Sequence, residues 1–218
     1  MLSRLSVILS SLPFAAASSR GPTPNTILRG MATAHSGATE TATFASGCFW
    51  GTEHIFLKKY GPHASSDKEG GASSAILSTK VGFTGGRTDA KNPSYKDVCT
   101  GRTGHAEAVK IEFDPSKVSY DELVEYFYRT HDPTTVDRQG PDTGTQYRSA
   151  IFYHTPEQKA IAEQVTADVQ RLHIDKRGGK IVTSIEPAND WYDAEDYHQE
   201  YLFKNPTGYH CPTHIEHW

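Results

Sequence analysis

Segments with the two-residue period of a β-strand alternate along this chain with segments that have the helical period of about 3.6 residues. The clearest strand is "EAVKIEF" (107–113), in which Val109, Ile111 and Phe113 fall on one face. Ser119 then opens a helix, with a Glu three residues later at the spacing of a capping box. Strands that interleave with helices in this way predict one α/β or α+β domain.

The other elements follow from the same two periods. Predicted strands cover 41–45, 79–86, 148–153 and residues near 181–186, and further predicted helices cover about 49–60 and begin at Thr155. The apolar stripes of the second and third helices are Leu123, Val124, Phe127 and Tyr128, and then Ile161, Val165, Val169 and Leu172. Polar stretches at 61–75 and 131–147 are expected to be loops, and 203–218 is expected to be an irregular, mobile tail.

The first 39 residues differ in composition from the rest of the chain. They contain three Arg, seven Ser and no Asp or Glu, which is typical of a mitochondrial transit segment. A secretory signal is the alternative, because "LSVILSSLPFAAASS" is a short apolar run followed by small residues. Arg20 and Arg29 extend the basic character beyond that run, and Met31 offers a second start for a cytosolic form. We therefore expect a mitochondrial leader at 1–39 and a folded domain at 40–218.

The expected domain is acidic and has few cysteines. Without the leader, 19 Lys and Arg face 26 Asp and Glu, which argues against a nucleic-acid or anionic-membrane surface. No apolar run approaches the ~18 residues that a membrane span needs. The three cysteines are an odd number and lack a C-x-x-C spacing, so free thiols in a reducing compartment are expected rather than a disulfide framework.

Cys48 lies in "GCFWG" (47–51), where the first predicted strand turns into a helix. A thiol at the start of a helix lies near the positive end of the helix dipole, which is expected to lower its pKa and favour the nucleophilic thiolate. Cysteine is also a common core residue. The flanking glycines, which permit close approach of a substrate, favour the reactive interpretation.

Three further polar residues are candidates by position. Glu107 lies at the start of the clearest strand, where a carboxylate is either solvated or held in a cleft with a raised pKa, ready to donate a proton. Asp142 and Tyr147 lie in the long 131–147 loop, where polar groups can converge on a ligand.

Six motifs carry a family resemblance. They are "GCFWG" (47–51), "VGFTGG" (81–86), "TGHAEAV" (103–109), "DRQGPDTGTQYRS" (137–149), "AEDYHQEYL" (194–202) and "KNPTGY" (204–209). In this order they resemble the A-type peptide methionine sulfoxide reductases, from about residue 41 to the C-terminus. The resemblance implies a two-layer sandwich around a mixed β-sheet, and reduction of the S epimer of methionine sulfoxide, free or within proteins.

The family's site residues can be carried over by motif. Cys48 would attack the sulfoxide sulfur and become a sulfenic acid, while Glu107 would protonate the sulfoxide oxygen. Tyr147 would hydrogen-bond that oxygen, and Asp142 would help to hold the polar end of the site.

The resemblance also implies an aromatic pocket for the S-methyl group. Phe49 and Trp50 would form its walls, and the glycines beside them would make room for the methyl. The family usually has Tyr where this chain has Phe83, so one hydroxyl to the sulfoxide oxygen is expected to be missing. His198 matches the motif "AEDYHQ" and is expected on the substrate side of the site. Its expected role is structural more than catalytic.

Recycling of the sulfenic acid requires a second thiol. Cys211 follows "NPTGY", which matches the family's approach to its resolving cysteine, and it lies in the expected mobile tail. Cys99 is the alternative, interpreted as an inert, partly buried thiol. A Cys48–Cys211 disulfide opened by thioredoxin is therefore expected, in a monomer without a metal or other cofactor.

Two other functions remain open at this point. Cys48 with a histidine base would make an acyl transferase or protease. The C-terminal His210, Cys211, His214 and His217 could instead bind zinc, although their spacing is irregular.

Overall fold

The computed structural model describes residues 38–64 and 74–218. The strands are β1 (Glu40–Ser46), β2 (Ile76–Thr84), β3 (Ala106–Phe113), β4 (Arg138–Gln139), β5 (Asp142–Thr143), β6 (Ser149–Tyr153), β7 (Ser184–Pro187) and β8 (Tyr192–Asp193). The α-helices are α1 (Phe49–Tyr60), α2 (Tyr95–Cys99), α3 (Tyr120–Arg129), α4 (Pro156–Val169) and α5 (Tyr201–Lys204). Single turns of 3₁₀-helix cover Thr145–Tyr147, Asp175–Arg177 and Asp196–His198, and a π-helical turn covers Gln170–Ile174.

Six strands form a mixed sheet in the order β7-β6-β1-β3-β2-β8. β1 lies at the centre, antiparallel to both β3 and β6, with Phe44 opposite Val109 on one side and Ile151 on the other. Only the β6–β7 pair in this sheet is parallel. β4 and β5 form a separate two-stranded hairpin.

Helices cover one face of the sheet through a set of stacked aromatic rings. The ring of Phe44, on β1, stacks on Phe56 of α1 at 5.4 Å and on Phe127 of α3 at 5.2 Å between centroids. α4 joins this layer where the Tyr128 hydroxyl of α3 meets the Thr166 hydroxyl at 2.6 Å. Of these helices, α3 is the strongly amphipathic one. All three bury apolar side chains against the central strands, which is the main source of stability for such a layer.

The opposite face is built mostly from small side chains. Ala45, Ala106, Ala108, Ala150 and Phe152 form a fully buried cluster, with Ala188 and Trp191 packed against it. The Lys110 ammonium lies 4.6 Å from the centre of the Trp191 ring. The prediction of an α+β sandwich with a mixed sheet and an irregular C-terminal segment is confirmed.

Most element predictions agree with the structure to within a few residues. The largest differences are at β2, which begins at Ile76, and at β7, which begins at Ser184. Ser119 is the N-cap of α3 but its side chain makes no capping hydrogen bond, so the expected capping box does not form. Thr155 does cap α4, accepting a hydrogen bond from the backbone of Gln158.

The predicted long loop at 131–147 contains short regular elements. It includes the β4–β5 hairpin and the 3₁₀ turn that ends at Tyr147. Residues 1–37 of the predicted 1–39 leader and residues 65–73 of the predicted 61–75 loop lie outside the described residues, so both stay predictions. In the described part of the chain, no helix is both long and apolar enough to cross a membrane.

Candidate active site

Cys48 is placed by a strand-to-helix turn. β1 ends at Ser46, Gly47 takes a positive φ of 93° that favours glycine, and Cys48 is the N-cap residue of α1. The carbonyl of Cys48 accepts the first helical bonds from the backbone of Gly51 and Thr52. The residue is 7% exposed, so Cys48 is largely shielded from bulk water.

The expected lowering of the Cys48 pKa is wrong. Burial, reinforced by the charge of Glu107, raises the pKa of the Cys48 thiol far above its ordinary value. The backbone N–H groups of Trp50 and Gly51 at the helix start act in the lowering direction. Removal of the thiol from water outweighs the helix start, so the resting side chain is a neutral thiol.

Glu107 lies close to this helix start. It lies on β3, and its side chain is on the same face of the strand as Val109 and Ile111, which face the helices. Its Oε2 accepts a hydrogen bond from the backbone N–H of Phe49 at 3.1 Å, and the residue is 1% exposed. Burial raises the pKa of Glu107 to about 8, with the bond from Phe49 opposing and the charge of Asp142 adding to the shift. Glu107 is therefore a protonated acid at neutral pH.

A cavity of about 270 Å³ opens at these two residues. It is lined by Cys48, Phe49, Trp50, Tyr95, Glu107, Asp142, Tyr147 and Tyr209. Six of these lining residues were predicted as site residues from the sequence. A wall of aromatic rings around two carboxyl groups and one thiol suits a small ligand that has an apolar end and a polar end.

Tyr95 and Tyr209 are lining residues that sequence reasoning missed. Tyr95 begins α2, where Ser94 and Asp97 form a complete capping box. That Ser-x-x-Asp spacing was readable in the sequence and would have placed Tyr95 at a fixed helix start. Burial and a hydrogen bond to the Cys99 sulfur raise the pKa of the Tyr95 phenol.

The expectation that Phe83 leaves the site one hydroxyl short stays a prediction. Phe83 is fully buried and does not line the cavity. It lies opposite Glu107 in the β2–β3 ladder and packs against Phe49, with 5.9 Å between ring centres. The tyrosines that line the cavity are Tyr95, Tyr147 and Tyr209.

His198 lies behind the cavity wall rather than in it. Trp50 Nε1 donates a hydrogen bond to His198 Nδ1 at 2.9 Å, and the Trp50 ring stacks on Tyr201 at 3.8 Å. The residue is 1% exposed. His198 therefore orients the indole of Trp50 and does not line the substrate cavity, so its assignment to substrate contact is corrected.

The two glycines of "GCFWG" make room for the protein itself, not for a ligand. A Cβ on Gly51 would lie 1.9 Å from His214 Nδ1, and a Cβ on Gly47 would lie 2.5 Å from Gln139 Cβ. The expectation that these glycines accommodate a methyl group is therefore wrong. They allow the hairpin and the C-terminal segment to approach the backbone on both sides of Cys48.

The second candidate thiol, Cys211, is also buried. It is 4% exposed, and its sulfur lies 3.7 Å from the Gln139 carbonyl oxygen and 3.2 Å from the Thr213 hydroxyl. Two residues earlier, the Tyr209 hydroxyl reaches both carboxylate oxygens of Asp142 at 3.0 Å. All three cysteines are free thiols, and Cys99 is the exposed one.

The residues of the zinc hypothesis do not gather around one point. His214 Nε2 lies 2.8 Å from the Ser46 carbonyl, and His217 Nε2 lies 3.0 Å from the Thr213 carbonyl. In residues 38–64 and 74–218, no three His, Cys, Asp or Glu side chains are grouped as metal ligands. Among the described residues, those that line the cavity with Cys48 include two carboxyl groups and three phenols but no histidine, which does not match the base required by a Cys-His acyl transferase.

Comparison with known proteins agrees with this geometry. The chain is 52% identical over 179 residues to "Probable peptide methionine sulfoxide reductase" of Schizosaccharomyces pombe, covering 82% of this chain and 97% of that protein. It is 48% identical over 170 residues to the peptide methionine sulfoxide reductase MsrA of Methanothermobacter thermautotrophicus, covering 77% and 88%.

Solved structures give the same result. Mxr1 from Saccharomyces cerevisiae in reduced form superposes with a TM-score of 0.70 at 42% identity, covering 82% of this chain and 92% of that one. Methionine sulfoxide reductase A of Corynebacterium diphtheriae gives 0.67 at 40% identity, covering 83% and 81%. Residues 40–217 match the family described as peptide methionine sulfoxide reductase. With its fold, its cavity and these relatives in agreement, the chain belongs to the peptide methionine sulfoxide reductase family, A type.

Proposed function

We propose that the chain reduces the S epimer of methionine sulfoxide, free or within oxidised proteins, and recycles through a Cys48–Cys211 disulfide opened by thioredoxin. One observation carries the proposal: Cys48 and the protonated acid Glu107 line one cavity with aromatic walls. Reduction of a sulfoxide needs a sulfur nucleophile and a proton for the leaving oxygen, and this cavity provides both.

The first step transfers the sulfoxide oxygen to Cys48. The Cys48 sulfur attacks the sulfoxide sulfur. The oxygen then passes to Cys48, so that a new sulfur–oxygen bond forms there as the sulfur–oxygen bond of the substrate breaks, and methionine leaves a sulfenic acid at Cys48. Glu107 protonates the oxygen as the attack proceeds, and the thiol proton returns to Glu107. The enzyme therefore gains one oxygen atom and the substrate is reduced by two electrons.

The pKa values of the two groups explain why the step awaits a substrate. Burial keeps Cys48 as a thiol and Glu107 as a neutral acid at neutral pH. A sulfoxide oxygen that hydrogen-bonds the Glu107 acid and the Tyr147 phenol would act as the proton acceptor in this cavity. The same burial is expected to protect the Cys48 thiol from oxidants in solution.

Trp50 and Phe49 are proposed to hold the S-methyl group. The Trp50 indole is fixed by its bond to His198 and its stacking on Tyr201, so it presents a rigid apolar wall. Asp142, which accepts from Tyr209, holds the polar edge of the same cavity.

Recycling completes the cycle. The thiol of Cys211 attacks the Cys48 sulfenic acid, a disulfide forms and water leaves. Thioredoxin then reduces the disulfide by exchange. Mxr1 from Saccharomyces cerevisiae has been solved in complex with Trx2, and this chain matches that structure with a TM-score of 0.51 at 27% identity.

Stereospecific turnover tests the proposal. With a dithiol reductant, the protein is expected to convert the S epimer of methionine sulfoxide to methionine and to leave the R epimer unchanged. Chiral chromatography of the remaining sulfoxide measures both. Turnover of the R epimer, or of neither, would show that the cavity serves another reaction.

We propose further that residues 1–39 direct the chain to mitochondria and that a start at Met31 gives a cytosolic form. The acid-free, Arg-containing composition of the segment supports this. A reporter fused to residues 1–39 is expected in mitochondria, and the same fusion begun at Met31 is expected in the cytosol, as seen by fluorescence microscopy. Appearance of the first reporter in the medium would instead establish a secretory signal.

A further inference from the structure

Within the predicted 203–218 tail, the residues that follow α5 are packed against the domain at several points. At its end, Trp218 Nε1 donates to Glu125 at 3.0 Å and the His217 backbone N–H donates to the Arg129 carbonyl at 2.9 Å. Nearer its start, the Tyr209 hydroxyl binds Asp142. Cys211 lies between these attachments. The mobility expected of this tail stays a prediction, and any movement of Cys211 starts from a fixed position.

The His214 ring occupies a notch beside Cys48 that is formed by the backbone of Ser46 and Gly51. Its Nε2 donates a hydrogen bond to the Ser46 carbonyl at 2.8 Å, while its Nδ1 is buried without a hydrogen-bond partner among the described residues. The ring fits because residue 51 is glycine: a Cβ there would lie 1.9 Å from Nδ1 and 2.8 Å from Cε1. The ring is thus held by its shape and one hydrogen bond, at the cost of one unsatisfied polar atom.

A single turn connects this notch to the second thiol. The His214 backbone N–H donates to the Cys211 carbonyl at 3.1 Å. The Cys211 sulfur lies 3.7 Å from the Gln139 carbonyl, and the Gln139 side chain packs against Gly47. The turn from Cys211 to His214 is therefore seated on backbone that flanks Cys48 on both sides.

We propose that His214 is a positioning residue for the resolving step: its ring, seated over Gly51, holds the Cys211 turn where the thiol can reach the Cys48 sulfenic acid. This inference rests on the proposed function. The step itself forms one sulfur–sulfur bond and breaks the sulfur–oxygen bond of the sulfenic acid, and the oxygen leaves as water with the Cys211 proton. His214 touches none of these reacting atoms and acts through the backbone of the turn.

The direct test measures methionine release and disulfide formation separately in His214→Ala. After addition of the S epimer without reductant, release of the first methionine is expected to stay within about threefold of wild type. Formation of the Cys48–Cys211 disulfide, followed by peptide mapping over time, is expected to slow by roughly tenfold to a hundredfold, as for other small displacements of reacting groups. The sulfenic acid should accumulate and be trapped by dimedone. His214→Gln, whose amide can still donate to the Ser46 carbonyl, should recover much of the disulfide rate.

The matched control is His217→Ala. His217 is also a tail histidine, but its ring bonds the Thr213 carbonyl inside the tail. Its variant should form the disulfide within about threefold of the wild-type rate. Equal slowing in both variants would mean that any loosening of the tail has this effect, and would overturn the specific role of His214.

A double-mutant cycle tests the notch independently of overall stability. Gly51→Ala should slow the disulfide step in the wild-type background, because its Cβ collides with the imidazole ring. The same change should cost little in a His214→Ala background, where the ring is gone. Equal effects in the two backgrounds would overturn the proposal.

Failure of the wild-type protein to form any Cys48–Cys211 disulfide would instead refute the proposed function. Disulfide formation at the wild-type rate in His214→Ala would refute this inference alone.

Discussion

Glu107→Gln is expected to lower the rate of the reductase step by about 10²-fold or more, the usual scale for loss of a general acid. The amide keeps the shape of the side chain and can still accept the hydrogen bond from the Phe49 backbone. It cannot deliver a proton to the sulfoxide oxygen. Single-turnover release of methionine from the S epimer measures this step before any recycling.

The pH dependence of the single-turnover rate tests the role of Glu107 independently. Because the pKa of Glu107 is raised to about 8, the acid is protonated below that pH and is lost as the pH rises through it. The wild-type single-turnover rate should therefore fall above about pH 8 through loss of the acid. The Gln variant should lack that fall. A variant rate within a few-fold of wild type would show that the proton comes from elsewhere in the cavity.

The stability of the same variant is the control for folding. A carboxyl whose folded pKa lies above its unfolded value of 4.5 binds its proton more tightly in the folded state. Its contribution to stability is full below about pH 4.5 and decreases as the pH rises toward 8. Glu107→Gln removes this dependence, so denaturant unfolding above pH 8 should show a variant at least as stable as wild type.

Cys211→Ser is expected to abolish thioredoxin-driven turnover while keeping the first step. The variant should still release about one methionine per enzyme, because Cys48 and Glu107 are unchanged. It should then stop as a sulfenic acid, since no disulfide is available for thioredoxin to open. With thioredoxin, its reductase and NADPH supplied, the time course should show a burst of methionine followed by no turnover.

Cys99→Ser is the matched control for this prediction. Cys99 is exposed and accepts a hydrogen bond from the Tyr95 phenol, which lies on the cavity. Its serine variant should turn over nearly as fast as wild type. A wild-type disulfide that maps to Cys48 and Cys99, or normal cycling by Cys211→Ser, would show that Cys211 is not the resolving thiol.

The sequence determined the local parts of this protein. The two-residue period of 107–113 specified both the strand β3 and the face on which Glu107 lies. The strand, glycine and helix around Cys48 followed from the pattern of 41–60, and the observed helix begins at Phe49 as predicted. Patterns of this kind are readable because side chains repeat with the backbone geometry of one segment, whatever that segment packs against.

Only the tertiary structure decided what surrounds those parts. Tyr95, Tyr209 and Cys48 lie far apart in sequence and share a cavity because the sheet and the tail bring them together. The pKa of Cys48 rises although the thiol begins a helix, since burial depends on every neighbouring element and outweighs the local dipole. Gly51 serves a histidine 163 positions away along the chain, a contact that no local period encodes. Local periodicity fixes the orientation of a side chain, whereas its solvation and its distant neighbours are set by packing, and the chemistry of Cys48 depends on both.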